Sequence, residues 1–220
     1  VTVNSNDPNY PHYSFNVSGL GTEWHGIAVL DAAGDVGAGT SIGFAGQTAD
    51  VAYNDASSQS LKIRRTVDGG LSWPSTYSPN PGAGGTAPSL VFAGEDVFVA
   101  YKAGTSLRVA KGAGGTLWRY KDVATDVTAL SGDAALAWNG AALLVGYGKN
   151  EFNGYSEMYY ASSANGIDWS SARVASTRKG YSCAVGSGMG SGSDFFATSD
   201  NSRLNFDSDK AGAWLSDDIG

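Results

Sequence analysis

The sequence contains few of the residues on which disulfides, metal sites and membrane spans depend. Its 220 residues include one cysteine, Cys183, so no internal disulfide can form, and the flanking residues indicate a buried strand. The two histidines, His12 and His25, have no cysteine beside them and no H-E-x-x-H pattern, so we expect no metal site. No apolar run approaches the roughly 18 residues needed to cross a bilayer, so no membrane span is predicted.

Cofactor motifs are also missing. The sequence has no P-loop, no dinucleotide fingerprint and no serine elbow. The glycine-rich run at residues 185–192 lies between two predicted strands and has no following helix that could hold a phosphate, so it indicates a turn. We therefore predict no cofactor.

Charged residues are scarce and mostly acidic. They make up 16% of the chain, the net charge is −7 and the pI is near 4.6. Because a negative surface repels phosphate backbones, nucleic acid is not an expected partner. Low charge and many glycine, serine and asparagine residues favour an extracellular or surface location. The sequence begins at Val1 without a signal-peptide pattern, which favours a processed or excised form.

Glycine and tryptophan, by contrast, are abundant and regularly placed. The 31 glycines and the lack of helix-forming runs predict short strands and tight turns. Five of the six tryptophans recur at intervals of 45 to 51 residues, which suits four strands and their turns. They are Trp24, Trp73, Trp118, Trp169 and Trp214. Short apolar runs alternate with glycine-rich turns within each interval, and a fourth strand is expected to start at each tryptophan.

This period predicts an all-β fold, a five-bladed β-propeller of four-stranded antiparallel blades in one domain. The repeats are predicted at approximately residues 1–37, 38–85, 86–131, 132–180 and 181–220. In the first repeat, strands are predicted at residues 1–4, 13–17 and 24–29, and the innermost strand has no counterpart. We expect a three-stranded first blade whose open edge faces a water-filled channel; the alternative, an oligomer in which another chain donates the strand, stays open.

One turn motif carries a family resemblance. Residues 66–73 follow the pattern Ser/Thr-x-Asp-x-Gly-x-x-Trp through Thr66, Asp68, Gly70 and Trp73, which suits a hairpin closed by a carboxylate and covered by an indole ring. The motif resembles the Asp box of the sialidase-like propellers, also called the bacterial neuraminidase repeat. Partial copies retain some of these positions, namely Asp209 with Trp214, and Gly166 with Trp169. In the second partial copy, Ala164 is aligned with the Asp position.

The resemblance implies a structural role for these residues, on the face opposite the ligand site. It also implies a catalytic set that we do not find, because the arginine motif near the start of sialidases is missing and five blades are predicted instead of six. A different glycosidase would need two carboxylates about 5 to 10 Å apart. Acids are predicted on loops of one face at Asp7, Asp31, Asp35, Asp55, Glu151 and Asp200.

The sequence therefore favours binding over catalysis, closest to the non-catalytic, lectin-like members of the family. Glycans or glycoconjugates are the expected partners, because amide and carboxylate groups bind sugar hydroxyls while aromatic rings cover the C–H faces. The predicted ligand contacts lie on rigidly held loops and comprise Tyr10, His12, Asp55, Asn153 and Tyr155. No catalytic residue is assigned. The alternatives are a glycoside hydrolase of the same fold and a structural or adhesion module of a virion or cell surface.

Overall fold

The computed structural model describes about three quarters of the chain in eleven segments. These are residues 2–4, 12–14, 28–79, 84–114, 116–127, 134–151, 155–173, 182–187, 194–199, 204–210 and 213–218. Within them every regular element is a β-strand, and there is no helix that is long and apolar enough to span a membrane. The predicted all-β class is confirmed for this part of the chain.

The strands form one two-stranded sheet and four four-stranded sheets. The two-stranded sheet pairs β1 (Thr2–Asn4) with β2 (His12–Ser14). Sheet I contains β3 (Val36–Ala45), β4 (Thr48–Asp55), β5 (Ser60–Thr66) and β6 (Ser75–Tyr77). Sheet II contains β7 (Thr86–Ala93), β8 (Asp96–Ala103), β9 (Ser106–Ala113) and β10 (Leu117–Ala124).

The two later sheets repeat this order. Sheet III contains β11 (Ala135–Trp138), β12 (Leu143–Glu151), β13 (Tyr155–Ser163) and β14 (Ser170–Arg173). Sheet IV contains β15 (Ser182–Ser187), β16 (Asp194–Ser199), β17 (Leu204–Lys210) and β18 (Ala213–Asp218). In each four-stranded sheet the strands pair antiparallel in chain order, as predicted. The number of blades in the whole chain stays a prediction.

The fourth strands begin within two residues of a tryptophan in sheets I to IV, close to where they were predicted. The first repeat differs. Ala28 and Val29 lie outside any strand, and the rest of the predicted strand at residues 24–29 lies outside the described residues. The next carbonyl along the chain, that of Leu30, accepts a hydrogen bond from the Arg64 side chain, so this segment is held by a side chain on β5.

The core lies between neighbouring sheets. Sheets I and II enclose a cluster containing Ile63, Leu90 and Val99. Sheets II and III enclose a second cluster that contains Val109 and Leu136. Sheet II therefore buries both faces of its middle strands, one against sheet I and the other against sheet III, which explains their near-continuous apolar runs.

Sheets III and IV are joined in the same way. Cys183 and Val185 of β15 pack against Met158 of β13, as does Tyr160, so the cysteine lies in an apolar contact, half buried. Between sheets I and II, Gly43 leaves room for the side chain of Leu90, because an added Cβ would lie 2.4 Å from its Cδ2.

Each four-stranded sheet has two distinct ends, which decide where a site can form. At one end, the turn between β3 and β4 meets the turn between β5 and β6, where the Gly69 amide donates to the Gln47 carbonyl at 2.9 Å. We call this the turn end. At the other end, the turn between β4 and β5 meets the segments that connect successive sheets, as in the 2.8 Å bond from the Ala56 amide to the Asp35 carbonyl. We call this the connector end.

Candidate functional site

A pocket of about 250 Å³ opens near the connector end of sheet I. We call it the Tyr53 pocket. Its lining residues come from the segment before β3 and from β3 and β4, and they are Val29, Leu30, Asp31, Val36, Gly37, Thr40, Val51 and Tyr53. The pocket thus combines an apolar wall with a carboxylate and a phenol hydroxyl.

A compact ionic cluster adjoins this pocket. Nζ of Lys62 lies 2.7 Å from Oδ2 of Asp55 and 3.2 Å from Oδ2 of Asp31. The hydroxyl of Tyr53 donates to the same Asp31 oxygen at 2.8 Å. One ammonium group therefore bridges two carboxylates, and the phenol holds one of them in place.

Local turns orient the two carboxylates. The backbone amide of Ala33 donates to Oδ1 of Asp31 at 3.0 Å, a turn that aspartate forms readily. Asp55 ends β4 and accepts hydrogen bonds from the amide and the hydroxyl of Ser58, at 3.1 and 2.6 Å. Gln59 completes this turn with a φ of 50°, a left-handed conformation that few side chains adopt.

Arg64 ties the connecting segment to the sheet. Its Nε and Nη2 both donate to the carbonyl of Leu30, the former at 2.8 Å, and its Nη1 donates to the carbonyl of Trp73 at 3.2 Å. Because Leu30 precedes Asp31, this arginine positions the acid that lines the pocket. The cluster is therefore held by strand β5, the connecting segment and the turn after β4 together.

The hydrogen bonds set the protonation of the cluster. Donation from the Ala33 amide and the Tyr53 hydroxyl lowers the pKa of Asp31 from 3.8 to about 2. Donation from Lys62 and Ser58 also holds the pKa of Asp55 well below its usual range. Burial, together with the bond to Asp31, raises the pKa of Tyr53 to about 12.

Both acids are consequently ionised at neutral pH, and Tyr53 remains a neutral hydrogen-bond donor. A glycosidase of the ordinary two-carboxylate kind needs one acid with a raised pKa that can protonate the leaving group. Neither Asp31 nor Asp55 meets that need. Asp31, which lines the Tyr53 pocket, can instead accept hydrogen bonds from hydroxyl groups, and Lys62 beside it offers an ammonium group to a polar ligand.

The residues predicted as ligand contacts are only partly within the described chain. Tyr10 and Asn153 lie outside the described residues. His12 pairs through its backbone with Asn4 in the two-stranded sheet, and Tyr155 begins β13, but their side chains lie outside the described part. Whether these five residues bind a ligand together stays a prediction.

Asp55 is described in full and belongs to the cluster. Its side chain is 4% exposed and is engaged by Lys62 and Ser58, so little of it is open to a ligand. Tyr53 and Lys62 were not predicted from sequence. A signal for the tyrosine did exist, since Tyr53, Tyr101 and Tyr147 hold the same register position on the second strand of sheets I, II and III and all three are buried.

The turn at residues 66–73 lies at the turn end, about 20 Å from the start of β5. Thr66 Oγ1 donates to Asp68 Oδ1 at 2.6 Å and accepts the Gly70 amide at 3.0 Å. Asp68 also accepts the amide and the hydroxyl of Ser72. Its carboxylate thus closes the turn from within, and Trp73 follows half buried.

A second turn repeats this bonding with different residues. Ser163 Oγ donates to Asn165 Oδ1 at 3.2 Å and accepts the Gly166 amide at 2.8 Å. Asn165 Oδ1 accepts the amides of Ile167 and Asp168, and its Nδ2 donates to Asp168. Asn165 therefore occupies the place of Asp68, and the alignment with Ala164 was wrong because this turn is one residue shorter.

The remaining turn residues can be located in less detail. Trp169 packs partly buried against the core between sheets II and III. Asp209 and Trp214 pair through their backbones across β17 and β18, and their side chains lie outside the described residues. No group of three or more metal-ligating side chains occurs in the described segments.

No protein-family model matches this sequence, and no curated protein matches it either. Solved structures do match. The Hadza microbial sialidase Hz136 is similar with a TM-score of 0.58 at 14% identity, over 83% of this chain and 46% of the sialidase. The fold is that of a sialidase-like β-propeller.

Other propellers of this kind are also similar. A subtype N11 neuraminidase-like protein of A/flat-faced bat/Peru/033/2010 (H18N11) has a TM-score of 0.52 at 11% identity, covering 81% of this chain and 53% of that protein. The catalytic domain of the Coprinopsis cinerea GH62 alpha-L-arabinofuranosidase has a TM-score of 0.50 at 11% identity, covering 82% of this chain and 67% of that domain. The present chain spans about half the length of the sialidase and of the neuraminidase-like protein.

Proposed function

We propose that this chain is a carbohydrate-binding, lectin-like β-propeller with an extracellular or surface location. Its glycan site lies at the connector end of sheet I, beside Asp31, Tyr53 and Lys62. The predicted contacts Tyr10, His12, Asn153 and Tyr155 belong to the same proposal, as further residues around that site. The turns at residues 66–73 and 163–169 act as Asp-box-type structural elements at the other end.

The ionic cluster is the observation that supports this proposal most. Two ionised carboxylates, Asp31 and Asp55, share the ammonium group of Lys62 next to a pocket with an apolar wall. Sugars need hydrogen-bond acceptors for their hydroxyls and apolar surface for their C–H faces. The similar solved structures include a sialidase and an arabinofuranosidase, whose names describe action on glycans, and this likeness favours a glycan ligand.

A glycoside hydrolase is the second candidate. The convergence of Asp31 and Asp55 on one lysine favours it, since two neighbouring carboxylates are what such an enzyme uses. The lowered pKa of both acids opposes it, because neither would hold a proton for the leaving group at neutral pH.

A glycan array and a panel of fluorogenic glycosides test the proposal together. We expect wild-type protein to bind a defined set of glycans without turnover. Asp31→Asn should weaken binding roughly tenfold or more, because it removes the charge of the acceptor, and Tyr53→Phe should weaken it as well, because Asp31 then loses the hydroxyl that holds it in place. Glu95→Gln, an exposed acid at the turn end of sheet II, serves as the matched control and should bind normally.

The other outcomes are equally informative. If wild-type protein hydrolyses a glycoside and Asp31→Asn abolishes that turnover, the protein is a hydrolase. Silence in both assays, from protein with a cooperative melting transition, would favour a structural or adhesion module and contradict the proposal.

A further inference from the structure

A second and larger groove lies between sheets II and III, at the turn end. It encloses about 410 Å³, compared with about 250 Å³ for the Tyr53 pocket. We call it the Ile167 groove. Strands β9 and β10 form one wall and the turn after β13 forms the other, and the lining residues are Val109, Lys111, Ala113, Leu117, Arg119, Tyr120, Lys121, Gly166 and Ile167.

The wall formed by the turn is rigidly held. Gly166 lies so close to the ring of Phe98 that an added Cβ would approach Cε1 to 2.3 Å, so the turn is seated directly on sheet II. Oδ1 of Asn165 accepts the amides of Ile167 and Asp168 at 2.8 and 2.9 Å. The groove is therefore formed in advance of any ligand, which lowers the entropic cost of binding.

The groove also exposes apolar surface. Leu117 is 72% exposed and Ile167 is 56% exposed, while Val109 is buried at the base. Large aliphatic side chains gathered on opposite walls of one depression are typical of a contact surface.

Cations border this apolar surface. Leu117, Arg119 and Lys121 alternate along β10 and so share one face, and Lys111 is the direct cross-strand partner of Arg119. Lys111 is paired with Asp96 at 2.8 Å. Among the described residues, no ion pair joins Arg119 or Lys121 to a carboxylate, so two cations remain uncompensated in a protein whose net charge is −7.

We propose that the Ile167 groove binds a segment of an anionic polysaccharide. Arg119 and Lys121 receive two acidic groups of the chain, since positions two apart on a strand lie about 7 Å from one another. The guanidinium group of Arg119 can bind a carboxylate or a sulfate through two hydrogen bonds. Leu117 and Ile167 cover the apolar faces of the sugar rings.

An acidic peptide is the alternative occupant of this groove, and the polyglutamate probe below tests it. The turn wall offers a peptide no backbone donor, because the amides of Ile167 and Asp168 are already engaged by Asn165, whereas β10 is an edge strand that pairs only with β9 among the described strands. The walls thus offer charge and apolar surface but no free amide from this turn. The site is separate from the Tyr53 pocket and takes acidic sugars, so the inference extends beyond the proposed function.

Calorimetric titration of the whole chain with an oligogalacturonate tests the inference, with a sulfated oligosaccharide and a neutral one of equal length alongside. We expect the acidic probes to bind, the neutral probe to bind at least tenfold more weakly, and affinity to fall as salt is added. Comparison of the carboxylated and sulfated probes identifies the preferred acidic group. Arg119→Gln with Lys121→Gln should reduce affinity at least tenfold and flatten the salt dependence.

Matched variants make the test decisive. Lys102→Gln, which removes a cation of the same sheet outside the groove, should leave affinity unchanged, and so should Asp31→Asn at the other site. Ile167→Ser should weaken binding severalfold without altering the salt dependence. Three outcomes would each overturn the inference. They are an equal loss of affinity in Lys102→Gln, equal binding of a polyglutamate peptide, and no binding by wild-type protein that melts normally.

Discussion

At the scale of single residues, Asp50 and Arg65 form an ion pair inside the contact between sheets I and II. Nε and Nη2 of Arg65 donate to the two carboxylate oxygens at 2.7 and 2.5 Å, and its Nη1 donates to the carbonyl of Gly114 on sheet II. Asp50 is fully buried. Phe98 and Leu144 hold the register position of Asp50 in sheets II and III, so this carboxylate occupies a place that is apolar in those sheets.

Removing one member of this pair should be costly. We predict that Asp50→Asn lowers the free energy of unfolding by about 3–5 kcal/mol, because it leaves the buried charge of Arg65 uncompensated. The double change Asp50→Leu with Arg65→Met should lie closer to wild type. Urea unfolding measures both, and a double variant weaker than Asp50→Asn would contradict the explanation.

The pKa of Asp31 predicts how stability depends on pH. Its folded value of about 2 lies below its ordinary value of 3.8, so its contribution is present above about pH 4 and is lost as the pH falls towards 2. Wild type should therefore be more stable than Asp31→Asn at pH 6, and the difference should vanish near pH 2. Urea midpoints across this range test the prediction, which a constant difference would refute.

At the scale of elements, the two turns after β5 and β13 reach one bonding pattern from different residues. Asp68 closes the first turn with a carboxylate, whose pKa is lowered by the hydroxyls of Ser72 and Thr66. Asn165 closes the second with an amide that also donates to Asp168. The amide suits the shorter turn because it can pair with a carboxylate that follows three residues later.

This difference predicts that each turn depends on the residue that closes it. Asp68→Ala should lower the melting temperature, because the amide and hydroxyl of Ser72 lose their acceptor. Asn165→Asp should also lower it, since two carboxylates would then face each other. Ala164→Asp is the control and should have no effect, because this exposed position makes none of the turn's bonds. A rise in melting temperature for Asn165→Asp would show that Asp168 is not its partner.

At the scale of the whole molecule, one side of sheet I exposes two large apolar side chains. Ile42 and Phe44 of β3 are 61% and 75% exposed. Leu90 and Leu136 hold the register position of Ile42 in sheets II and III, and each of them is only 8% exposed. Sheet I covers Leu90, and sheet II covers Leu136. The lack of an innermost strand in the first repeat stays a prediction, because most of that repeat lies outside the described residues.

A matched pair of substitutions tests whether this side is open in solution. Ile42→Ala should change the free energy of unfolding by less than about 0.5 kcal/mol. Leu90→Ala should cost about 2–5 kcal/mol, because it leaves a cavity in the core. With the favoured three-stranded first blade, light scattering should report a monomer. Equal costs, or a dimer that Ile42→Ala dissociates, would instead indicate that another chain covers this side.

Much of the fold could be predicted because strand signals are local. Side chains alternate with a period of two, so short apolar runs between glycine turns mark the strands of sheets I to IV within a few residues. Less of the candidate site could be predicted. Asp31 and Asp55 were recognised as loop acids, but nothing in the sequence joined them to Tyr53 or Lys62.

The sequence by itself determined the strands, their order and the positions of the turns, since each depends on a few neighbouring residues. The tertiary structure alone decided which polar groups meet. Tyr53 lies 22 residues from Asp31, and Lys62 lies 31 residues from it, so their contact depends on strand register and on the path of the connecting segment. Likewise, residue spacing aligned Ala164 with Asp68, and only the hydrogen bonds reveal that Asn165 has the role of Asp68 in its turn.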